Sequence, residues 1–123
     1  MLEKIGIGID IIDINRFSEK PYSKNKIFYE KIFHNSEIKY CLNHKNSSQS
    51  FAAKFAIKES VIKSINKKID FMDVLTDHHN LKPIASLLDD SCYNFLVSVT
   101  HEKQHAVATV SYTHLRAHET RHD

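Results

Sequence analysis

Lys4-Ile5-Gly6-Ile7-Gly8-Ile9-Asp10-Ile11-Ile12 alternates isoleucine with glycine and aspartate, the period of a half-buried β-strand. This reading makes the isoleucine row the core face. It leaves the row of Gly6, Gly8 and Asp10 almost bare, so another backbone or a ligand can come close to the strand and to the carboxylate that ends the row. The string Gly-Ile-Gly-Ile-Asp is not a dinucleotide loop, because that motif needs three glycines in a turn opening a helix, and here the alternation runs on through Ile11.

Downstream of this strand, Asp13 is placed to cap a short helix from about residue 14, and Pro21 breaks it before a second helical stretch through Ile27, Phe28 and Ile32. Asn35 or Ser36 starts another helix through Cys41. Residues 43–50, rich in asparagine, serine and lysine, read as a loop. Residues 51–65 form the strongest helix, with Phe51, Phe55, Ile62 and Ile65 in one stripe. After about residue 70 the pattern turns to strands: 71–77, a turn at 78–80, then 93–101 and 106–112 as a hairpin. One strand, several helices and then antiparallel strands make an α+β domain.

The bulk properties agree with a single globular domain. The chain has 123 residues, 41% hydrophobic and 26% charged, within the usual size and composition of one domain. Its apolar runs are too short and too interrupted to span a bilayer. A net charge of +2 argues against nucleic acid as a partner, although Arg16, Lys20, Lys24, Lys26 and Lys31 crowd one segment and suit either an acidic partner or a solvated face. Two cysteines, Cys41 and Cys92, fit a reducing cytoplasm.

The chemistry-bearing residues are few. A hard cation such as magnesium (Mg2+) takes oxygen ligands and commonly only one or two protein carboxylates; Asp10 and Glu59 are placed to supply two. Lys63, one turn beyond Glu59, and Lys58, inside the apolar stripe, would then neutralise phosphate. The plainer alternatives stand beside this reading: Glu59 and Lys63 as a surface i, i+4 pair, and Lys58 snorkelling to water.

Three segments resemble the bacterial holo-acyl-carrier-protein synthases, of the 4'-phosphopantetheinyl transferase superfamily. They are Gly8-Ile9-Asp10-Ile11, the helix Phe51-Ala52-Ala53-Lys54-Phe55-Ala56-Ile57-Lys58-Glu59-Ser60-Val61-Ile62-Lys63, and Val97-Ser98-Val99-Thr100-His101. Phe55, Lys58, Glu59 and Lys63 match the family pattern F-x-x-K-E-x-x-x-K, and weaker similarity extends through Arg16 and Lys82-Pro83. The resemblance implies a transferase that moves the phosphopantetheine arm of coenzyme A to a serine of an acyl carrier protein, of fatty-acid synthesis or of a secondary pathway. It also implies that Asp10 and Glu59 hold magnesium and that Lys63 and Lys58 contact the coenzyme. Lys54, where the family usually has arginine, and His101 would bind the nucleotide end, and Arg16 would face the carrier protein. Glu59 is the candidate base by analogy. The short members of the family are homotrimers with the active site between subunits.

The chain departs from the family at glycines expected after the long helix and before the Lys-Pro pair, where it has Asn66-Lys67-Lys68 and Leu81. The departures are the one support for a rival reading, a relative that binds coenzyme A or carrier protein without transfer. Residues 1–112 are read as the domain and 113–123 as a tail foreign to the family, its wording similar to translated adapter sequence. His114, His118 and His122 in that tail are spaced by four, as on a metal-binding helix face. His78, His79, His34 and His44 read as turn or loop residues.

Overall fold

The computed structural model describes residues 2–115. The first strand, β1 (Leu2–Asp13), pairs antiparallel with the last, β5 (His105–Leu115), which pairs in turn with β4 (Tyr93–His101), so the sheet order is β1-β5-β4. A separate hairpin, β2 (Val74–His79) with β3 (Lys82–Leu87), lies beside β4. Between β1 and β2 come α1 (Asn15–Ser18), α2 (Lys26–Glu30), α3 (Asn35–Leu42) and the long α4 (Ser47–Ser64). This is the α+β architecture expected from the sequence.

Helix α4 packs directly on β1 and β5, and small residues make that possible. A Cβ on Gly8 would lie 2.0 Å from the Ser60 carbonyl oxygen, and one on Gly6 would meet the Ser64 carbonyl at 2.6 Å and the Tyr112 ring. The buried alanines Ala52, Ala56, Ala106 and Ala108 line the same interface. Ser60 pins it by donating its hydroxyl to the Ala108 carbonyl at 3.0 Å. On the other side of α4, Phe17, Tyr29, Phe33, Phe51 and Phe55 pack as one aromatic cluster with ring centroids 4.6–6.1 Å apart.

The faces of β1 are the reverse of the expectation. Ile5, Ile7, Ile9 and Ile11 are 61–75% exposed, and the glycine row faces the core. Alternation shows that two faces differ but not which one a helix will cover, and a helix backbone needs the face without side chains. Three boundaries also differ. Strand β2 starts at Val74, after a 3-10 turn at Phe71–Asp73, and runs through His78 and His79, which were read as turn residues. Helix α4 begins at Ser47 inside the stretch read as loop, capped by the Asn46 side chain accepting from the Gln49 N–H at 3.1 Å. Strand β5 runs through residues 113–115, read as tail, because Thr113 and His114 pair with Ile5 and Lys4 of β1. His114 is therefore on a strand, while His118, His122 and the remaining tail lie outside the described residues.

The β2–β3 hairpin turns on Asn80 and Leu81 at φ 50° and 71°, the only positive-φ positions among the described residues. Positive φ at both central residues is the signature of a type I′ turn, which favours glycine. Leu81 is thus the expected glycine position occupied by a leucine, 96% exposed. Asn66, the other such position, holds an ordinary backbone conformation.

Candidate active site

The register of β1 against α4 places the site. The Gly6–Ser64 and Gly8–Ser60 approaches show that strand and helix run in opposite directions, so Asp10, on the same face, points toward the preceding turn of α4. Lys63, beside Ser64 near the C-terminal end of α4, extends its side chain back along the helix to Asp10, Nζ to Oδ1 at 2.6 Å, with the Asp10 side chain 9% exposed and that of Lys63 53%. The hydrogen bond and charge of Asp10 hold the Lys63 ammonium above the ordinary lysine range, with Glu59 adding to the effect. Asp10 Oδ2 is buried and has no hydrogen-bond partner among the described residues. A buried carboxylate oxygen without a donor is costly unless something else meets it.

Glu59 opens on a cleft of about 380 Å³ shared with Arg16, Phe28, Ile32, Phe55 and Phe71. The Arg16 guanidinium sits 5.1 Å over the Phe55 ring, a cation–π contact that holds it beside Glu59. A second cavity, about 230 Å³, is lined by Lys54, His101, Tyr40, His44, His78 and Pro83. Lys54 and His101, assigned to one ligand end, therefore share one cavity. Burial pushes the Lys54 ammonium below the lysine range, partly offset by Glu37 and Asp77.

Lys58 does not join either group. Its side chain is fully buried, and its ammonium donates to the Ile32 carbonyl at 2.8 Å and the Phe71 carbonyl at 3.1 Å and pairs with Glu37 at 2.8 Å. With all three donors engaged inside the protein, this lysine has none left for a coenzyme. Neither snorkelling nor phosphate contact describes it; it is an interior tie between α4, the end of α2 and the segment before β2.

The sequence reading passed over Glu37, Tyr40 and Thr76 and took His78, a β2 residue, for part of a turn. Thr76 is buried and His78 half-buried, flanking the exposed Asp77 on the face of Val74, so a period-2 reading carried past residue 77 would have found His78. Tyr40 and His78 stack at 4.4 Å, with the Tyr40 hydroxyl 3.1 Å from His78 Nε2. Burial and the nearby Lys54 depress the His78 pKa.

Lys54, Glu59 and Lys63 lie along α4, Asp10 meets Lys63 from β1, and His101 joins the Lys54 cavity from β4. Residues 6–110 match the model of the 4'-phosphopantetheinyl transferase superfamily, and the chain belongs to that family. Among curated proteins it is 33% identical to the holo-[acyl-carrier-protein] synthase of Thermodesulfovibrio yellowstonii over 88% of this chain and 97% of that one. It is also 33% identical to the Clostridium novyi holo-[acyl-carrier-protein] synthase, over 85% and 83%. Among solved structures, that of the Bacillus anthracis holo-(acyl-carrier-protein) synthase in complex with CoA (3',5'-ADP) superposes with TM-score 0.74 at 29% identity, covering 89% of this chain and 96% of that one. The Helicobacter pylori enzyme in complex with coenzyme A gives 0.72 at 28% identity, over 85% and 96%.

Proposed function

We infer that this chain is a holo-[acyl-carrier-protein] synthase: it transfers the 4'-phosphopantetheine group of coenzyme A to a serine of an apo acyl carrier protein and releases 3',5'-adenosine bisphosphate. Within that reaction, Asp10, Glu59 and Lys63 are the groups at the reacting phosphates. The observation that carries this assignment is Asp10 itself, nearly buried, held to a lysine through Oδ1 and with Oδ2 unmatched.

The donor set fits magnesium, since an unmatched carboxylate oxygen on Asp10 and the carboxylate of Glu59 are the one or two hard ligands that ion takes from a protein. When bound, the ion would supply charge neutralisation at the pyrophosphate. Lys63 contributes a fixed positive charge to the same group, raising its stabilisation as charge builds on the leaving phosphate. The serine oxygen forms a bond to the pantetheine-side phosphorus while the bond from that phosphorus to the bridging oxygen breaks. Glu59 accepts the serine proton. Lys54 and His101 hold the nucleotide end in their shared cavity, and Arg16 faces the carrier, with Lys20, Lys24, Lys26 and Lys31 extending a basic surface for an acidic protein.

Self-association follows from β1. Four isoleucines exposed in a row on the strand that carries Asp10 form a patch that a second copy would cover, in keeping with a homotrimer whose sites lie between subunits. The setting is lipid synthesis in a reducing cytoplasm, where unpaired Cys41 and Cys92 are stable as thiols. The test is intact-mass spectrometry of an apo acyl carrier protein after incubation with this chain, coenzyme A and magnesium. Addition of one phosphopantetheine, dependent on magnesium and lost with Glu59→Ala, supports the reading; no addition from a folded protein with several carriers turns it toward a non-catalytic relative.

A further inference from the structure

Lys54 is held at its cavity by a hydrogen-bond chain that can run in only one direction. Glu37 of α3 is buried, and its carboxylate is fully occupied. Oε1 accepts from the His34 N–H at 2.6 Å and pairs with Lys58 at 2.8 Å; Oε2 accepts from the Thr76 N–H at 2.8 Å and the Thr76 hydroxyl at 2.6 Å. An ionised carboxylate only accepts, so the Thr76 hydroxyl spends its one hydrogen on Glu37 and presents only lone pairs to Lys54 Nζ, 3.0 Å away. The Tyr40 ring covers another side of that ammonium, 4.6 Å from its centroid.

The charge count gives the chain a purpose. Of the two buried ammoniums, Lys54 and Lys58, only Lys58 is ion-paired to the buried Glu37 carboxylate, and Lys54 feels Glu37 and Asp77 only at longer range. The ammonium without a directly contacting carboxylate is therefore Lys54, the member that lines the cavity with His101 and His78. A lysine stem is flexible, whereas an arginine fork is pre-organised. Such a stem needs an outside hold if its ammonium is to meet an anion from a fixed position.

We propose that Thr76 and Glu37 are positioning residues for coenzyme A, fixing the Lys54 ammonium where it meets the 3'-phosphate at the nucleotide end. This rests on the reading of the cavity given above.

The test is steady-state kinetics of the full chain with coenzyme A and with 3'-dephospho-coenzyme A, for Thr76→Val, Thr76→Ser, Lys54→Met and the Thr76→Val, Lys54→Met double variant. Loss of a hold on a charged group predicts a KM for coenzyme A about tenfold higher in Thr76→Val, with kcat within about twofold of wild type. Thr76→Ser restores KM, the double variant is no worse than Lys54→Met alone, and with the dephospho substrate the penalty shrinks to less than about twofold. If Lys54→Met raises KM and Thr76→Val does not, the positioning role is wrong while the cavity reading stands. If Lys54→Met has no effect, the cavity reading itself fails. An equal penalty with both substrates overturns the 3'-phosphate as the target. Circular dichroism checks folding, and Thr76→Ala replaces the valine variant if that does not fold.

Discussion

Replacing Gly8 by alanine should uncouple the site from the sheet. The added Cβ would lie 2.0 Å from the Ser60 carbonyl oxygen and 3.0 Å from its carbon, atoms of helix backbone that cannot rotate aside. Ordinary carbon–oxygen contact begins above about 3 Å, so α4 must lift from β1 by about 1 Å. That shift also strains the Ser60 hydrogen bond to Ala108 and the packing of Ala56 and Ala108, both fully buried. Overpacking of this kind costs about 1–3 kcal/mol and occasionally more, and a backbone obstacle belongs at the upper end. A loss near 3 kcal/mol is a large share of a typical domain's stability and lowers Tm by on the order of 10–20 °C. Urea denaturation followed by circular dichroism reads it directly, with a fall in midpoint at unchanged slope. Turnover should fall too, since Asp10 moves relative to Lys63 and Glu59. An unfolding free energy within about 0.5 kcal/mol of wild type would refute the close helix–strand contact and with it the register that places Asp10.

Leu81→Gly should stabilise the protein by about 1 kcal/mol, because a leucine at φ 71° carries a left-handed penalty of roughly 1–2 kcal/mol, offset in part by the greater unfolded-state entropy of glycine; thermal melts check the sign. Lys58→Met strands the Glu37 carboxylate in the interior and should cost about 3–5 kcal/mol, seen as a large loss of urea midpoint, whereas a near-neutral result would mean the pair is not buried. His78 has its pKa held below the usual value, first by burial and then by Lys54. The unfolded chain therefore binds more protons than the folded one below about pH 6.5, and stability falls as pH drops through that region. His78→Phe, which keeps the ring stack on Tyr40, should flatten part of the slope between pH 7 and 5; an unchanged slope counts against a shielded His78.

Element types were legible where one signal dominated. The strand at 4–12, the helix through Glu59 and the hairpin about residues 102–104 all follow from periodicity in a few residues, and each appears in the structure. The start of α4 was not, because Ser47 and Ser48 carry no apolar period and the helix is secured there by the Asn46 cap. Lys58 shows a harder limit. Spacing put it in the apolar stripe, but its partner Glu37 lies on another helix, and no local pattern reveals an ion pair between segments distant in sequence. The same holds for Thr76, whose role depends on Glu37 and Lys54 at once. Asp10 and Lys63 were singled out by residue type and spacing and again by the family pattern; that they touch depends on how β1 and α4 pack.

The outward isoleucines and the placement of Asp10 are two sides of one geometric fact. Bringing α4 close enough for Lys63 to reach Asp10 requires a strand face without side chains, and Gly6 and Gly8 provide it. Because side chains alternate strictly along a strand, committing the glycine row to the helix sends Ile5, Ile7, Ile9 and Ile11 to the opposite face. That face continues across the sheet through Thr109 and Ser111 of β5 to Leu96 of β4, which is 76% exposed. A β-branched row of this kind has strong strand propensity, so it keeps β1 regular where two glycines would otherwise weaken it. It does so by leaving an apolar face open beside the carboxylate. The placement of Asp10 against α4 and the open apolar face are thus fixed by the same nine residues.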